Sequence, residues 1–180
     1  MPGFAINNTP ESQSKDFKAE FRRKHRWRLT NFEDAFVINS REFLYLSKAA
    51  RPSFKVEPAE VHHDQEVASF AGKQSWDTLN LEFYDAVGGK SLRGSMSSRI
   101  YAWVTKCTQI GNATVALPSE YKVEFEVQMT DGQGGVDEIW RVFGAWCQDT
   151  NWNELDYGDS NVQLVSVVVK FDRAERISGR

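Results

Sequence analysis

The stretch Tyr121-Lys122-Val123-Glu124-Phe125-Glu126-Val127-Gln128-Met129 decides the fold. Its apolar side chains at 121, 123, 125, 127 and 129 alternate without exception with Lys122, Glu124, Glu126 and Gln128. Successive side chains of a strand point to opposite faces, so this period predicts a half-buried β-strand with one apolar and one polar face. The sequence Asp131-Gly132-Gln133-Gly134-Gly135 follows it, permits positive φ, and predicts a hairpin turn onto a second strand over 139–146.

Outward from this pair, residues 76–85 place Leu79, Leu81 and Phe83 against Thr78, Asn80 and Glu82, the same two-residue period. Residues 162–172 carry Leu164, Val165, Val167, Val168, Val169 and Phe171, apolar on both faces, which predicts a strand covered on both sides. Phe54, Val56 and Val61 lie near Pro52 and Pro58, which argue against helix and predict an edge or bent strand. Residues 62–75 read as a polar loop. One helix is expected: Ser91 is a plausible N-cap, and Leu92, Met96, Ile100, Trp103, Val104 and Cys107 form one apolar face. Gly88-Gly89 precedes it as a turn, and Gly111-Asn112 offers its stop. The sum is a mainly β chain, a β-sandwich or open barrel of about six or seven strands with one packed α-helix. Long regular strands with few blocking devices must be capped, covered or paired with another chain.

The chain has 180 residues, 41% hydrophobic and 26% charged, a length that fits one domain. Its formal charge of −3 gives no overall basic surface to hold nucleic acid or an acidic membrane. The charge is uneven, net +4 over residues 1–28 and net −7 over the rest. Residues 1–28 are therefore read as a basic N-terminal arm, ordered against a partner through Arg22, Arg23, Lys24, Arg26 and Trp27, and 29–180 as one β domain. No stretch approaches the ~18–20 consecutive apolar residues of a membrane helix, so no membrane partner is expected. Cys107 and Cys147 fit no metal-ligand spacing and are read as reduced, buried thiols.

Reactive constellations are missing. His62 and His63 are adjacent, so on a strand their rings point apart and cannot share one metal ion. The sequence holds no nucleophile elbow, paired-histidine zinc motif or phosphate loop, and Gly132-Gln133-Gly134-Gly135 leads into a strand and not a helix. No catalytic residue, metal ligand or cofactor is assigned. Trp140, Phe143, Trp146, Trp152 and Tyr157 crowd together, as aromatics do in cores and at the centres of interfaces.

Read as one unit, Val142-Phe143-Gly144-Ala145-Trp146, Leu155-Asp156-Tyr157-Gly158-Asp159, and Val165-Ser166-Val167-Val168-Val169-Lys170-Phe171-Asp172-Arg173-Ala174 resemble the tail tube proteins of contractile-tailed bacteriophages. Ala50-Arg51-Pro52, Phe70-Ala71-Gly72-Lys73, residues 76–85 and Tyr101-Ala102-Trp103 fit the same order, so the resemblance spans about residues 36–174. It implies a non-enzymatic structural subunit, six copies of which form a ring with a continuous inner β-barrel, the rings stacking into a conduit for genome delivery. It also implies sheath, baseplate and tape-measure proteins as partners, genomic DNA passing without sequence-specific binding, and a place in the virion tail after assembly in the host cytoplasm. On that basis Val67, Phe70, Gly72 and Lys73 are expected at ring-to-ring contacts, and Lys122, Glu124, Glu126 and Gln128 at the lumen. A neutral-to-acidic lining would not grip phosphate. A headless contractile particle, a baseplate tube initiator or a tail completion protein would share the fold. In a different class stands a small β-barrel nucleic-acid-binding module using residues 22–28.

Overall fold

The computed structural model describes residues 22–30, 45–86, 95–109, 114–131 and 134–178. In chain order the elements are β1 (Trp27–Thr30), β2 (Leu46–Ala49), β3 (Phe54–His63), β4 (Glu66–Trp76), β5 (Leu79–Tyr84), α1 (Met96–Cys107), β6 (Thr108–Gln109), β7 (Thr114–Val115), α2 (Pro118–Tyr121), β8 (Val123–Thr130), β9 (Val136–Asn151), β10 (Leu164–Lys170) and β11 (Arg173–Ser178). Seven strands make one antiparallel system in the order β1-β8-β9-β10-β5-β2, with β11 also on β9. The barrel does not close, since β1 and β2 are not paired with each other.

β9 is 16 residues long and serves two sheets. Its first part pairs with β8 on one edge and β11 on the other, and its last part pairs with β10. The crease lies at Gly144, whose φ of +64° is a left-handed conformation that a side chain disfavours. The register with β8 shifts at this point, as at a β-bulge, which increases local twist. Opposite the crease, Asp172 links β10 to β11, and its backbone N–H donates to the Phe143 carbonyl at 3.0 Å. A Cβ on Gly144 would drive into the Asp172 carboxylate, which Lys122 Nζ holds at 2.7 and 2.8 Å.

Folding over at the crease turns the apolar faces of the two sheets toward each other. Phe125, Val127, Val142 and Leu29 come from one side, Leu79, Leu81, Phe83, Val165, Val167 and Val169 from the other, and all are buried. α1 closes the core with Met96, Ile100 and Trp103. Ser95 is its N-cap, accepting from the Ser98 N–H at 3.2 Å, and Trp103 Nε1 donates to the Tyr121 carbonyl at 3.3 Å. The cap is therefore four residues later than the expected Ser91, which lies with Leu92, Gly88-Gly89 and Gly111-Asn112 outside the described residues.

Four other expectations need correction or refinement. Residues 62–75 are not a loop but belong to a β-hairpin, and the alternation read from Tyr121 becomes a strand only at Val123 because Pro118 starts the one-turn α2. Trp27 and Arg28 belong to β1 and not to an arm. β10 buries one face, with Val165, Val167 and Val169 at 0–1% exposure, and leaves Leu164, Ser166 and Val168 half-covered.

Gly144→Ala is expected to lower the unfolding free energy by about 1–3 kcal/mol, through a strained φ and displacement of Asp172 from Lys122. Urea denaturation checks this; an unchanged midpoint would show that the crease accommodates a side chain.

Candidate functional site

Three surfaces stand out among the described residues. Among the described residues no cluster of His, Cys, Asp and Glu could hold a metal ion, and no helix is long and apolar enough to cross a membrane. Cys107 and Cys147 are free, buried thiols. Burial raises both thiol pKa values, Cys147 to about 11, so neither is poised as a nucleophile.

The first surface is the β3–β4 ribbon. Every residue of β3, and every residue of β4 except Trp76, is exposed. The ribbon is anchored at its base, where the Trp76 ring packs against Phe54 at 5.3 Å and Phe171 at 5.6 Å, and Lys170 Nζ donates to the Trp76 carbonyl at 3.0 Å. Counted from that base, β3 runs ten residues, roughly 33 Å at ~3.3 Å per residue. The register shifts between Val56 and Pro58, which places the proline where the ladder is already interrupted. Gly72 belongs to this irregularity: a Cβ there would sit 2.5 Å from the Glu57 carbonyl oxygen, so its role is close backbone approach. Val67 and Phe70, expected to act together, lie on opposite faces. Phe70 pairs with Ala59 and shares a face with Val61 and Ala68; Val67 pairs with His62 and shares a face with Pro58 and Ala71. A two-stranded ribbon of this length is marginal in water unless something covers it.

The second surface is the outward face of β1, β8, β9 and β11. Residues facing one another across it form the row Thr30, Glu126, Arg141 and Glu175. Arg141 donates to Glu126 through Nε at 2.9 Å and through a terminal nitrogen at 2.7 Å, Gln128 Nε2 adds 3.0 Å, and Arg28 Nε donates to Gln128 Oε1 at 2.8 Å. Arg173 lies over the Phe143 ring at 4.5 Å and 3.6 Å from Glu175. Three cations (Arg28, Arg141, Arg173) thus stand among three acids (Glu124, Glu126, Glu175). Of the four residues assigned to the lumen, Glu124 is exposed, Glu126 and Gln128 are buried beneath these partners, and Lys122 is the C-cap of α2, turned to Asp172. Alternation gave the shared face of 124, 126 and 128, while the burial of Glu126 and Gln128 depends on cations brought by other strands.

The third surface is the mouth between β1 and β2, a cavity of about 350 Å³ lined by Arg22, Arg23, Lys24, Trp27, Lys48, Arg51, Val127 and Met129. Of the residues expected in the arm, Arg22, Arg23, Lys24 and Trp27 come together here, and Arg26 donates its backbone N–H to the Arg23 carbonyl at 3.1 Å. Beside it Glu138, 3% exposed, receives Arg22, Trp140 Nε1 and Arg176 at 3.4 Å, with Arg51 at 4.0 Å; Arg22 also reaches Asp137 at 2.6 Å. Sequence reading does not single out Glu138, because no local pattern marks it.

No protein-family model matches the chain, and no curated protein sequence is significantly similar to it. Its backbone does match solved structures. A chain of the tube-terminating cap of the anti-feeding prophage superposes with a TM-score of 0.66 at 12% identity, covering 91% of this chain and 95% of that one. The fold is that of contractile-system tube proteins. A chain from the sheath/tube terminator of an extracellular contractile injection system, PVC, gives a TM-score of 0.62 at 10% identity, covering 89% of this chain and 99% of that one. A chain from the PVC sheath-tube complex gives 0.57 at 11% identity, covering 74% and 80%.

The two buried glutamates make stability pH-dependent. Burial alone would raise their pKa values, but hydrogen bonds and the charges of Arg141 at Glu126, and of Arg22 and Arg176 at Glu138, outweigh it and hold both below the ordinary 4.5. Their contribution is complete above the unfolded value and is lost as pH falls through the lower folded values. Glu126→Gln with Glu138→Gln is expected to flatten the fall in thermal midpoint between about pH 5 and about pH 3. An unchanged slope would place the acid sensitivity elsewhere.

Proposed function

We infer that the chain is a structural subunit of the tube of a contractile tail or injection particle, assembling with copies of itself into stacked rings and performing no catalytic step. The observation that carries this reading is the β3–β4 ribbon, held out from a tube fold with apolar residues on both faces. Such a ribbon is stabilised when neighbouring subunits cover it, one against Phe70 and Val61 and another against Val67 and Ala71.

The charge-paired face fits the lumen side of that tube. Each phosphate contact made by a free cation adds affinity through counterion release. Here Arg141 is spent on Glu126, Arg173 lies against Glu175 and Phe143, and the charge of Arg28, bonded to the neutral Gln128, is offset on the same face by exposed Glu124, so the face supports passage of DNA or another polyanion without retention. Six copies per ring, an enclosing sheath, a baseplate, a tape-measure protein within the bore, and a place in a virion tail after assembly in the host cytoplasm complete this reading.

A second reading is favoured by the comparisons: the chains from the cap and terminator structures match over more of their length than the chain from the sheath-tube complex. A terminator ends a tube where a tube subunit extends one. Electron microscopy of the purified protein separates them, with long hollow tubes expected for the repeating subunit and single rings for the terminator. A monomer at every concentration, alone and with preformed tubes, would refute both.

Phe70→Asp and Val67→Asp are each expected to leave a folded domain, with unchanged circular dichroism, and to reduce tube length at least about tenfold by burying an unpaired charge in a contact. Tubes of normal length from both variants would remove the ribbon from assembly.

A further inference from the structure

The mouth and the 152–163 loop carry opposite charge and matching apolar surface. The mouth sits between β1 and β2, the two ends of the strand path. Arg22 and Arg51 at its rim are turned to Glu138, and Lys48 stands across from Glu82 of β5, but among the described residues neither Arg23 nor Lys24 forms an ion pair. Trp27, Val127 and Met129 give it apolar lining.

The loop joins β9 to β10, at the middle of the same path, and contains no Lys, Arg or His. It carries Glu154, Asp156 and Asp159, and it displays Leu155 at 87% exposure and Tyr157 fully exposed. Its shape is held from within. Asp156 and Asp159 accept from the backbone N–H groups of Gly158 at 2.8 Å and Asn161 at 3.0 Å. At its base Asn153 Nδ2 donates to the Leu164 carbonyl at 2.6 Å and Gln163 Nε2 to the Trp152 carbonyl at 2.7 Å. A loop already ordered loses little conformational entropy on docking, and exposed Leu and Tyr side chains on such a frame supply anchor area.

We propose that the mouth is a socket for a second copy of this chain, and that the part it receives is the acidic, apolar-tipped 152–163 loop. The acids of the loop face Arg23 and Lys24, which form no ion pair among the described residues, and Leu155 and Tyr157 meet the lining formed by Trp27, Val127 and Met129. Plug and socket are different surfaces, so the contact is head-to-tail, the kind that closes into a ring when the rotation allows. Two loops repel one another, which disfavours a two-fold pairing through the same surface. This inference rests on the ring-forming reading above and assigns it a lateral contact.

The test uses the full chain with Leu155→Cys and Ser47→Cys, Ser47 being a further residue at the mouth. Mild oxidation is expected to give a ladder of covalent multimers that requires both substitutions; Cys107 and Cys147, buried and with raised thiol pKa values, stay out of it. Light scattering on the same sample reports assembly. Assembly without a ladder overturns the plug and socket and leaves ring formation standing, whereas neither assembly nor a ladder overturns both. A ladder that forms only after residues 1–21 are removed assigns the mouth to the chain's own N-terminal segment and also overturns it. Independently of cross-linking geometry, E154K, at a carboxylate that takes no part in the loop's internal hydrogen bonds, is expected to reduce the assembled fraction about tenfold at low salt, and adding R23E and K24E to restore it. Assembly at the original level by E154K alone would overturn the proposal.

Discussion

The crease at Gly144 and Asp172 is the constraint from which the other surfaces follow. A strand paired along its whole length with the same neighbours would give a single sheet with one face bare. β9 instead changes partners at its bend, from β11 to β10 on one edge, while Gly144 supplies a left-handed φ and leaves room for the Asp172 carboxylate. Folding the sheet system there brings Phe125 and Val142 against the Val165, Val167 and Val169 side of β10. It also leaves β1 and β2 as the two unjoined ends, with the mouth between them, and leaves the β9–β10 loop at the middle.

The sequence disclosed those parts whose environment is set by a single periodic pattern. β8, β5 and the buried face of β10 were legible because apolar side chains recur every second residue, and α1 because Met96, Ile100, Trp103 and Cys107 recur at helical spacing. The ribbon was not legible over 62–75 because a strand exposed on both faces has no burial period to display. Its identity comes from cross-strand hydrogen bonding, as in the pairing of Ala59 with Phe70, which no local count reveals. The start of α1 was misplaced because Ser91 and Ser95 are equally good caps in isolation, and only the Ser98 N–H decides between them.

The polar face of β8 shows the same limit at the level of chemistry. Glu126 and Gln128 read as solvent-facing, and alternation put them on the right face. Their burial comes from Arg28, Thr30 and Arg141, which reach them from strands about 100 and 15 residues away in sequence. Glu138 is the stronger case, since Arg22, Arg51 and Arg176 converge on it from three separate segments. A carboxylate so enclosed is costly to bury without those partners. The basic segment at 22–28 is thereby tied into the domain, and its charge is partly spent on a structural acid.

The crease also has a mechanical consequence. At its position the chain crosses from one sheet to the other twice, along β9 and along the β10–β11 run that returns beside it. Sliding one sheet over the other would stretch covalent backbone and break ladder hydrogen bonds on both sides of Gly144 together. Two sheets joined only by side-chain packing can slip by exchanging rotamers, but these two are sewn along their common edge. The domain therefore resists shear between its layers as a stiff body, and displacement imposed on it is passed to the ribbon and the loops at its margins.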